Sequence, residues 1–189
     1  MALDAARDIL IESGPQAVTL KAVAGRIGRT HANLLHHFGS AAELQRELAA
    51  FLCHGVCDAI GDRMRGHAPG EHKVREIVDL AFDSFNQGGA GALTSWMLMT
   101  GNEGAIDPVV NAIHMLIDSL NPEAHKQRLL HEDTLALVLM ALGDALIGDA
   151  LSDAMALQRD TARVLVTDFI EGRIAAFEAE HGIVEHVHF

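Results

Sequence analysis

The chain has 189 residues, enough for one compact unit or for two small units that share a hydrophobic core. It contains no tyrosine, only four prolines and many aliphatic residues, so an all-α fold is favoured over a β-sheet protein. The formal net charge is −12, but residues 1–50 carry five basic and five acidic side chains and are neutral. The acidic excess therefore lies in residues 51–189, and only the first part of the chain is suited to approach a polyanion.

The first predicted helix runs from Ala2 to Ser13. Its polar residues face water, and Gly14-Pro15 ends it. Its apolar residues recur at helical spacing and form one stripe: Leu3, Ala6, Ile9 and Leu10.

Two short helices follow. Thr19 is placed to cap a helix from Leu20 to Arg26, and Thr30 can cap a second helix that extends to His37. Gly28 lies between them, where a helix ends by stepping into the left-handed conformation, and Ser40 can cap the next helix. Two helices of this length joined by a glycine turn have the outline of a helix-turn-helix, and the first helix supports them.

The segment that carries these features, LDAARDILIESGPQAVTLKAVAGRIGRTHANLLHHFGSAAEL, resembles the N-terminal DNA-binding domain of the TetR/AcrR family of bacterial one-component repressors. The resemblance implies an all-α protein with a three-helix helix-turn-helix head and a helical body that binds a ligand and forms a dimer. The corresponding domains are residues 1–45 and residues 46–189. The remainder of the chain carries no comparable motif, so the resemblance assigns a role but no ligand.

The resemblance also places individual head residues against double-stranded DNA. Thr30, His31 and Asn33 would face base edges, while Thr19 and His36 would face phosphates. Asparagine pairs bidentately with an adenine edge, and hydroxyl groups bind phosphate oxygens. The full predicted DNA-binding set is Thr19, Lys21, Arg29, Thr30, His31, Asn33, His36 and His37.

The head departs from the family pattern at two phosphate-contacting positions. Leu35 stands where an aromatic residue is usual, and Ala41 stands where a lysine is usual. Lys21, Arg26 and Arg29 are candidates to replace the lost cationic contacts. Fewer phosphate contacts predict weaker and less salt-sensitive DNA binding, because each neutralised phosphate adds roughly 0.9 to the salt slope.

The body is predicted to be a series of helices that ends in two long apolar ones. The segment from His131 to Ala156 is apolar on nearly all sides, so both of its faces should be buried, and Gly143 and Gly148 permit close helix approach. Two such helices predict a four-helix interface in a homodimer. The predicted body helices are Ala41 to Arg65, Glu71 to Asn86, Ala92 to Thr100, Asp107 to Leu120, His131 to Ala156 and Gln158 to Glu180.

Soft and aromatic residues in the middle of the chain could line a cavity for a small effector, or they could be ordinary core. A cavity of this composition would bind an apolar or amphipathic molecule. The candidate residues are Phe82, Phe85, Trp96, Met97, Met99, His114 and Met115.

For two groups of residues, a functional and a purely structural interpretation both remain open. Cys53 and Cys57, with His54 beside them, are either a thiol sensor or metal pair, or two small apolar residues of a helix. The C-terminal histidines His181, His186 and His188 are either metal ligands or surface residues.

The predicted function is a ligand-responsive repressor that binds a palindromic operator as a homodimer, without a cofactor. The alternative is a related dimer that has weakened or lost specific DNA binding and acts as a small-molecule-binding or protein-interaction module. No spacing typical of a nucleophile elbow, P-loop, dinucleotide site or zinc protease occurs, so an enzyme is not expected. Neither a signal peptide nor a membrane span is expected, which predicts a cytoplasmic protein.

Overall fold

The structure, a computed structural model, describes residues 1–65, 74–102, 104–120 and 128–181. These residues form helices and connecting turns, with no β-strand among them, which confirms the predicted all-α fold. The helices in chain order are α1 (Ala2–Ser13), α2 (Leu20–Arg26), α3 (His31–Phe38), α4 (Ala41–Arg65), α5 (Val74–Asn86), α6 (Ala90–Met99), α7 (Asp107–Leu120), α8 (Arg128–Ala154) and α9 (Thr161–His181).

Predicted and observed helix bounds agree in the head and shift by a few residues in the body. α6 begins at Ala90, two residues earlier than predicted, because Gly89 takes a left-handed conformation with φ of 76° and a helix can start directly after it. α8 ends at Ala154, shortly before Ala156, which has a positive φ of 52°. Residues 71–73, the predicted start of α5, lie outside the described residues.

A first hydrophobic cluster, called the head cluster here, holds the head together and extends into the body. It contains the buried apolar residues of α1, α2 and α3, the first half of α4, and Leu93 and Met97 of α6. Leu93 and Met97 are completely buried. Helix α6 therefore packs against the head helices. It does so although it follows residue 45, where the sequence predicts the boundary between head and body. That boundary stays a prediction.

A second hydrophobic cluster, the body cluster, joins α5, α8 and α9. Phe82 of α5 is at its centre and is completely buried, and Val166 of α9 packs in the same cluster. Arg163 of α9 lies over the Phe82 ring at 5.3 Å and forms ion pairs with Asp79 at 3.0 Å and Asp83 at 2.6 Å. An apolar contact and a charged contact thus hold α9 against α5.

Helix α8 is buried on one face only. Its buried residues are Asp133, Leu137, Ala141, Asp144 and Gly148, while the opposite face exposes large apolar side chains such as Leu139 and Ile147. Within a single chain only one face is covered, so burial of both faces would require a partner subunit and stays a prediction. The two buried aspartates tie α8 to arginines, because Arg173 binds Asp133 at 2.6 Å and Arg159 binds Asp144 at 2.5 Å.

Helix α8 is also long and apolar enough to cross a membrane, by length and composition alone. This corrects the expectation that no stretch of the chain has that character. The reason is that small residues separate many of its leucines and that only Asp144 and Asp149 carry a charge between Thr134 and Ser152. Such a helix is weak evidence for a membrane protein, since core helices of soluble proteins meet the same criteria.

Arg163→Gln should lower the free energy of unfolding by on the order of 2 kcal/mol, because it removes the cation that pairs with Asp79 and Asp83 between α5 and α9 and leaves Asp79 with Arg75 alone. Urea unfolding at fixed protein concentration measures the change. Arg128→Gln is the control, since Arg128 is 91% exposed and its ion pair with Glu132 should contribute less than about 1 kcal/mol. Equal losses in the two variants would contradict this role of Arg163.

The pH dependence of the free energy of unfolding also tests the role of Arg163. Burial works to raise the pKa of Asp79, but hydrogen bonds from Arg75 and Arg163 outweigh it and hold the pKa below its ordinary value of 3.8. A carboxyl whose pKa is lowered by folding stabilises the protein above its unfolded pKa and loses that effect as the pH falls. The difference between wild type and Arg163→Gln should therefore narrow as the pH drops below 3.8.

Candidate nucleic-acid interface

Side-chain caps and a glycine turn fix the angle between α2 and α3. The hydroxyl of Thr19 accepts a hydrogen bond from the Ala22 N–H at 3.1 Å, and the hydroxyl of Thr30 accepts one from the Asn33 N–H at 3.2 Å. Gly28 has φ of 65°, a conformation that favours glycine. Both predicted caps and the predicted turn are therefore present, and each satisfies backbone groups that a helix end leaves without partners.

Helix α3 has one buried face and one exposed face. Leu34 and Phe38 are 2% and 4% exposed and pack in the head cluster. The side chains of His31, Asn33 and His36 are on the exposed part of the helix. His37 is exposed as well, although its ring meets the Phe38 ring edge-on at 4.6 Å. Helix α3 thus presents polar side chains to solvent next to its buried anchors, with the exposed apolar residues Ala32 and Leu35 among them.

Two exposed cations lie on the elements next to α3, Lys21 on α2 and Arg29 in the turn that precedes α3. Lys21 and Arg29 are exposed, and within the described part of the chain neither forms an ion pair. Arg26 differs, because it binds Glu12 of α1 at 2.5 Å and its hydrogen bond lowers the pKa of that carboxyl. Arg46 is likewise bound to Glu43. Of the three candidates to replace lost phosphate contacts, Arg26 is therefore occupied inside the head, and Lys21 and Arg29 remain available.

The seven residues predicted to line an effector cavity are not brought together. Phe82 is completely buried in the body cluster with Phe85 packed against it, whereas Met97 is completely buried in the head cluster. Trp96 is half-buried, while Met99, His114 and Met115 are exposed. Phe82 and Met97 therefore act as core residues of two different clusters, and a role of these side chains in binding an effector stays a prediction.

A cavity of about 500 Å³ lies where α5, α8 and α9 meet, and its lining residues carry charged or amide groups on apolar stems. The sequence pattern of apolar and aromatic residues does not predict it, because its lining residues carry charges or amides. The available signal was charge at helical spacing, with Asp79 and Asp83 one turn apart on α5 and Arg159 and Arg163 one turn apart in the sequence. The lining residues are Arg75, Asn86, Gln87, Asp149, Arg159, Asp160 and Arg163.

A smaller cavity of about 170 Å³ lies between α4 and α7. Cys57 and Met115 both line it, together with His54 and Asp58. Met115 is the one member of the predicted effector set that lines either of these two cavities. The side chains of the C-terminal histidines His181, His186 and His188 lie outside the described residues.

Residues 2–48 match the family model for bacterial regulatory proteins of the tetR family. The match covers the three head helices and the start of α4, which are the elements that build the exposed surface of α3. It confirms the resemblance drawn from the head motifs. No curated protein sequence matches the chain.

Two solved structures align with most of the chain at low TM-scores. One is a proposed tetR family transcription regulator from Shewanella sp. PV-4, with 12% sequence identity, a TM-score of 0.43, and coverage of 88% of this chain and 94% of that chain. The other is the tetR family transcriptional regulator PfmR from Thermus thermophilus, with 17% identity, a TM-score of 0.40, and coverage of 91% and 92%. With identities this low, what those proteins bind does not extend to this chain.

Met97→Ala should destabilise the head by about 2–5 kcal/mol, because it opens a cavity between α6 and the head helices. Thermal unfolding followed by circular dichroism measures the loss. Met99→Ala on the same helix is the matched control, since Met99 is 86% exposed and its truncation should cost less than about 0.5 kcal/mol. A stable Met97→Ala protein would contradict the assignment of α6 to the head cluster.

Proposed function

We propose that this chain, whose residues 2–48 are an N-terminal domain of the tetR family of bacterial regulatory proteins, is a homodimeric transcriptional repressor that a small molecule releases from operator DNA. The chain has the all-helical fold of a transcription regulator of this family. The observation that carries the proposal is the orientation of α3, whose apolar residues anchor it while its polar residues face solvent. A helix oriented in this way can enter a major groove.

The residue types on α3 suit base and phosphate contacts. Asn33 lies in the first turn of α3, where an asparagine can pair bidentately with an adenine edge, and Thr30 and His31 precede it as further donors to bases. Thr19, His36 and His37 are proposed to contact phosphates, together with Lys21 and Arg29, which form no ion pair with the other described residues. The phosphate contacts position the head on the duplex, and the base contacts select the DNA sequence.

Dimerisation is proposed to occur through the exposed faces of α8 and α9. Leu139 and Ile147 of α8 are 59% and 58% exposed, and Leu165 and Phe169 of α9 are 57% and 48% exposed. Two amphipathic helices from each of two chains would bury these faces in a four-helix interface. The same burial explains why α8 is apolar around most of its circumference while only one face is covered within a single chain.

A glycine lies on each of these faces. Gly143 is one turn from both Leu139 and Ile147, and Gly172 is one turn from Phe169. Apart from its own helix backbone, a Cβ atom at either position would meet no atom of the described residues within 4 Å, so packing among these residues does not require the glycines. A glycine in a helix is unfavourable by roughly 0.5–1 kcal/mol relative to alanine, and close approach of a partner helix is a reason for its presence.

The dimer gives the two α3 helices a defined separation. Binding to a palindromic operator requires them to enter successive major grooves roughly 34–36 Å apart. The protein is proposed to act in the cytoplasm. Dimerisation would cover the exposed apolar face of α8, so this face would not need to contact a membrane. The acidic body would keep the remainder of the dimer away from the phosphates.

Release is proposed to follow from preferential binding of an effector to a dimer in which the heads have another separation. The body is the proposed location of the effector. The cavity between α5, α8 and α9 is lined by charged and amide side chains, so an amphipathic molecule fits it better than a purely apolar one. Arg159 and Arg163 already bind carboxylates there, which disfavours a ligand that depends on a free cation.

The second candidate function is a dimer of this fold with weak or lost specific DNA binding. The observation that favours it is the small number of available cations, because Arg26 and Arg46 are bound to carboxylates and Leu35 and Ala41 replace residues that contact phosphates. A measurable decrease of DNA affinity with increasing salt would support the repressor, since binding to phosphates releases counterions. Absence of any salt dependence would support the second candidate.

Asn33→Ala should weaken binding to the DNA upstream of the protein's own gene by roughly tenfold to a hundredfold and leave binding to unrelated DNA unchanged. The cap of α3 survives, because Asn33 contributes only its backbone N–H to Thr30. A mobility-shift assay measures the affinities, and Asn111→Ala on the exposed surface of α7 is the matched control. Unaltered operator affinity in Asn33→Ala would count against the assignment of α3 as the recognition helix.

Gly143→Gln should weaken dimerisation by about tenfold or more, because the added side chain occupies the space of the partner helix. The chain itself should fold normally, since that space is open within one subunit. Sedimentation equilibrium measures the dissociation constant. Gly55→Gln introduces the same change at an equally open position on α4 and should remain dimeric. If both variants have the dissociation constant of the wild type, the dimer interface does not include Gly143 and lies elsewhere.

A further inference from the structure

The chain contains two cysteines, and both lie on α4, one helical turn apart. Cys53 and Cys57 are free thiols and are half-buried. Residues four apart on a helix are neighbours, with Cβ atoms roughly 5–6 Å apart. Ordinary rotation about χ1 can therefore bring the two sulfur atoms to opposite sides of one bound atom.

A cavity adjoins one member of this pair. Cys57 lines the space of about 170 Å³ between α4 and α7, and Met115 of α7 lines it from the opposite helix. A thiol and a thioether thus border the same small space, which has room for a single ion or a few atoms. Thiolate and thioether sulfur atoms are the ligands that select soft ions such as Cu(I).

A cysteine thiol is mostly protonated near neutral pH, and a metal ion that coordinates it displaces its proton.

Harder metal ions lack a suitable site in the part of the chain that the structure describes. No group of three or more His, Cys, Asp or Glu residues there is placed to hold an ion. His54 and Asp58 line the cavity but do not complete such a group with Cys57. Zinc prefers four ligands in a tetrahedron, whereas a soft monovalent ion is satisfied by two sulfur atoms.

We propose that Cys53 and Cys57 bind one soft, thiophilic metal ion, Cu(I), between their sulfur atoms, with the Met115 thioether as a weaker third ligand. Two S–H bonds break, two sulfur–copper bonds form, and two protons pass to solvent. The copper stays in the +1 state, so no oxidant or reductant is required.

An ion bound to this pair would also affect the head, because α4 connects the head to the body. Helix α4 begins at Ala41, directly after α3, and its first half belongs to the head cluster. An ion that also engages Met115 would fix α4 against α7 and so change the freedom of the head relative to the body. This second step rests on the proposed function, whereas binding of the ion does not.

The experiment is an anaerobic titration of the reduced full-length chain with Cu(I), in competition with a coloured Cu(I) chelator and without DNA. We expect one ion per chain, a sulfur-to-copper absorption band in the near ultraviolet, and release of two protons per ion at neutral pH. Because the chain has no other cysteine, a thiol-dependent signal belongs to this pair. Zn(II) in excess should not displace the copper.

Variants separate the proposed site from incidental binding. Cys53→Ser and Cys57→Ser should each lower the affinity by about a hundredfold or more, since a single thiolate loses the benefit of the linked second one. Met115→Leu should have a smaller effect, and Met99→Leu should have none. Far-ultraviolet circular dichroism verifies that each variant is folded. Full affinity in either serine variant, or one ion shared by two chains, would overturn the site.

The two steps can fail separately. If Cu(I) binds as described but leaves DNA affinity unchanged, the site is supported and its effect on the head is refuted. If the copper-free chain binds no DNA, the repressor function fails while the titration still decides the site.

Discussion

The burial of Leu34 and Phe38 in the head cluster is the constraint on which the candidate interface depends. These two side chains are the only large apolar anchors that α3 places in the core, and they fix the rotation of the helix about its own axis. Once that rotation is fixed, Asn33 and His36 must point outward. The caps at Thr19 and Thr30 then set where each helix begins, so orientation and register are both determined locally.

The head nevertheless depends on the body for its stability. Helices as short as α2 and α3 gain little from their own hydrogen bonds and need tertiary packing. Leu93 and Met97 of α6 complete that packing, and α4 runs from the head cluster into contact with α7. Motion in the body can therefore reach the head by two routes. Helix α4 continues the chain of the head into the body, and helix α6 completes the hydrophobic core of the head.

Much of the head could be predicted from sequence because its signals are local. A hydroxyl residue before an apolar stripe, or a glycine at the end of one, specifies a cap or a turn without reference to the rest of the chain. The role of Met97 could not be predicted in this way, because an apolar residue in a uniformly apolar helix gives no indication of which cluster it joins. The pairing of Arg26 with Glu12 is a contact between residues 14 apart, and it removes a cation that the sequence leaves available. The partners of Arg163 are 80 and 84 residues away and have no local signature.

The uneven distribution of charge along the chain has a kinetic consequence for the proposed complex. A neutral head gives little long-range attraction, and an acidic body is repelled by the duplex, so random collisions in the wrong orientation are short-lived. The protein would spend little time sliding on arbitrary genomic sequence and would remain mostly in free diffusion. Occupancy of an operator would then be governed by how slowly the correctly docked pair of heads dissociates, and only weakly by how fast it arrives.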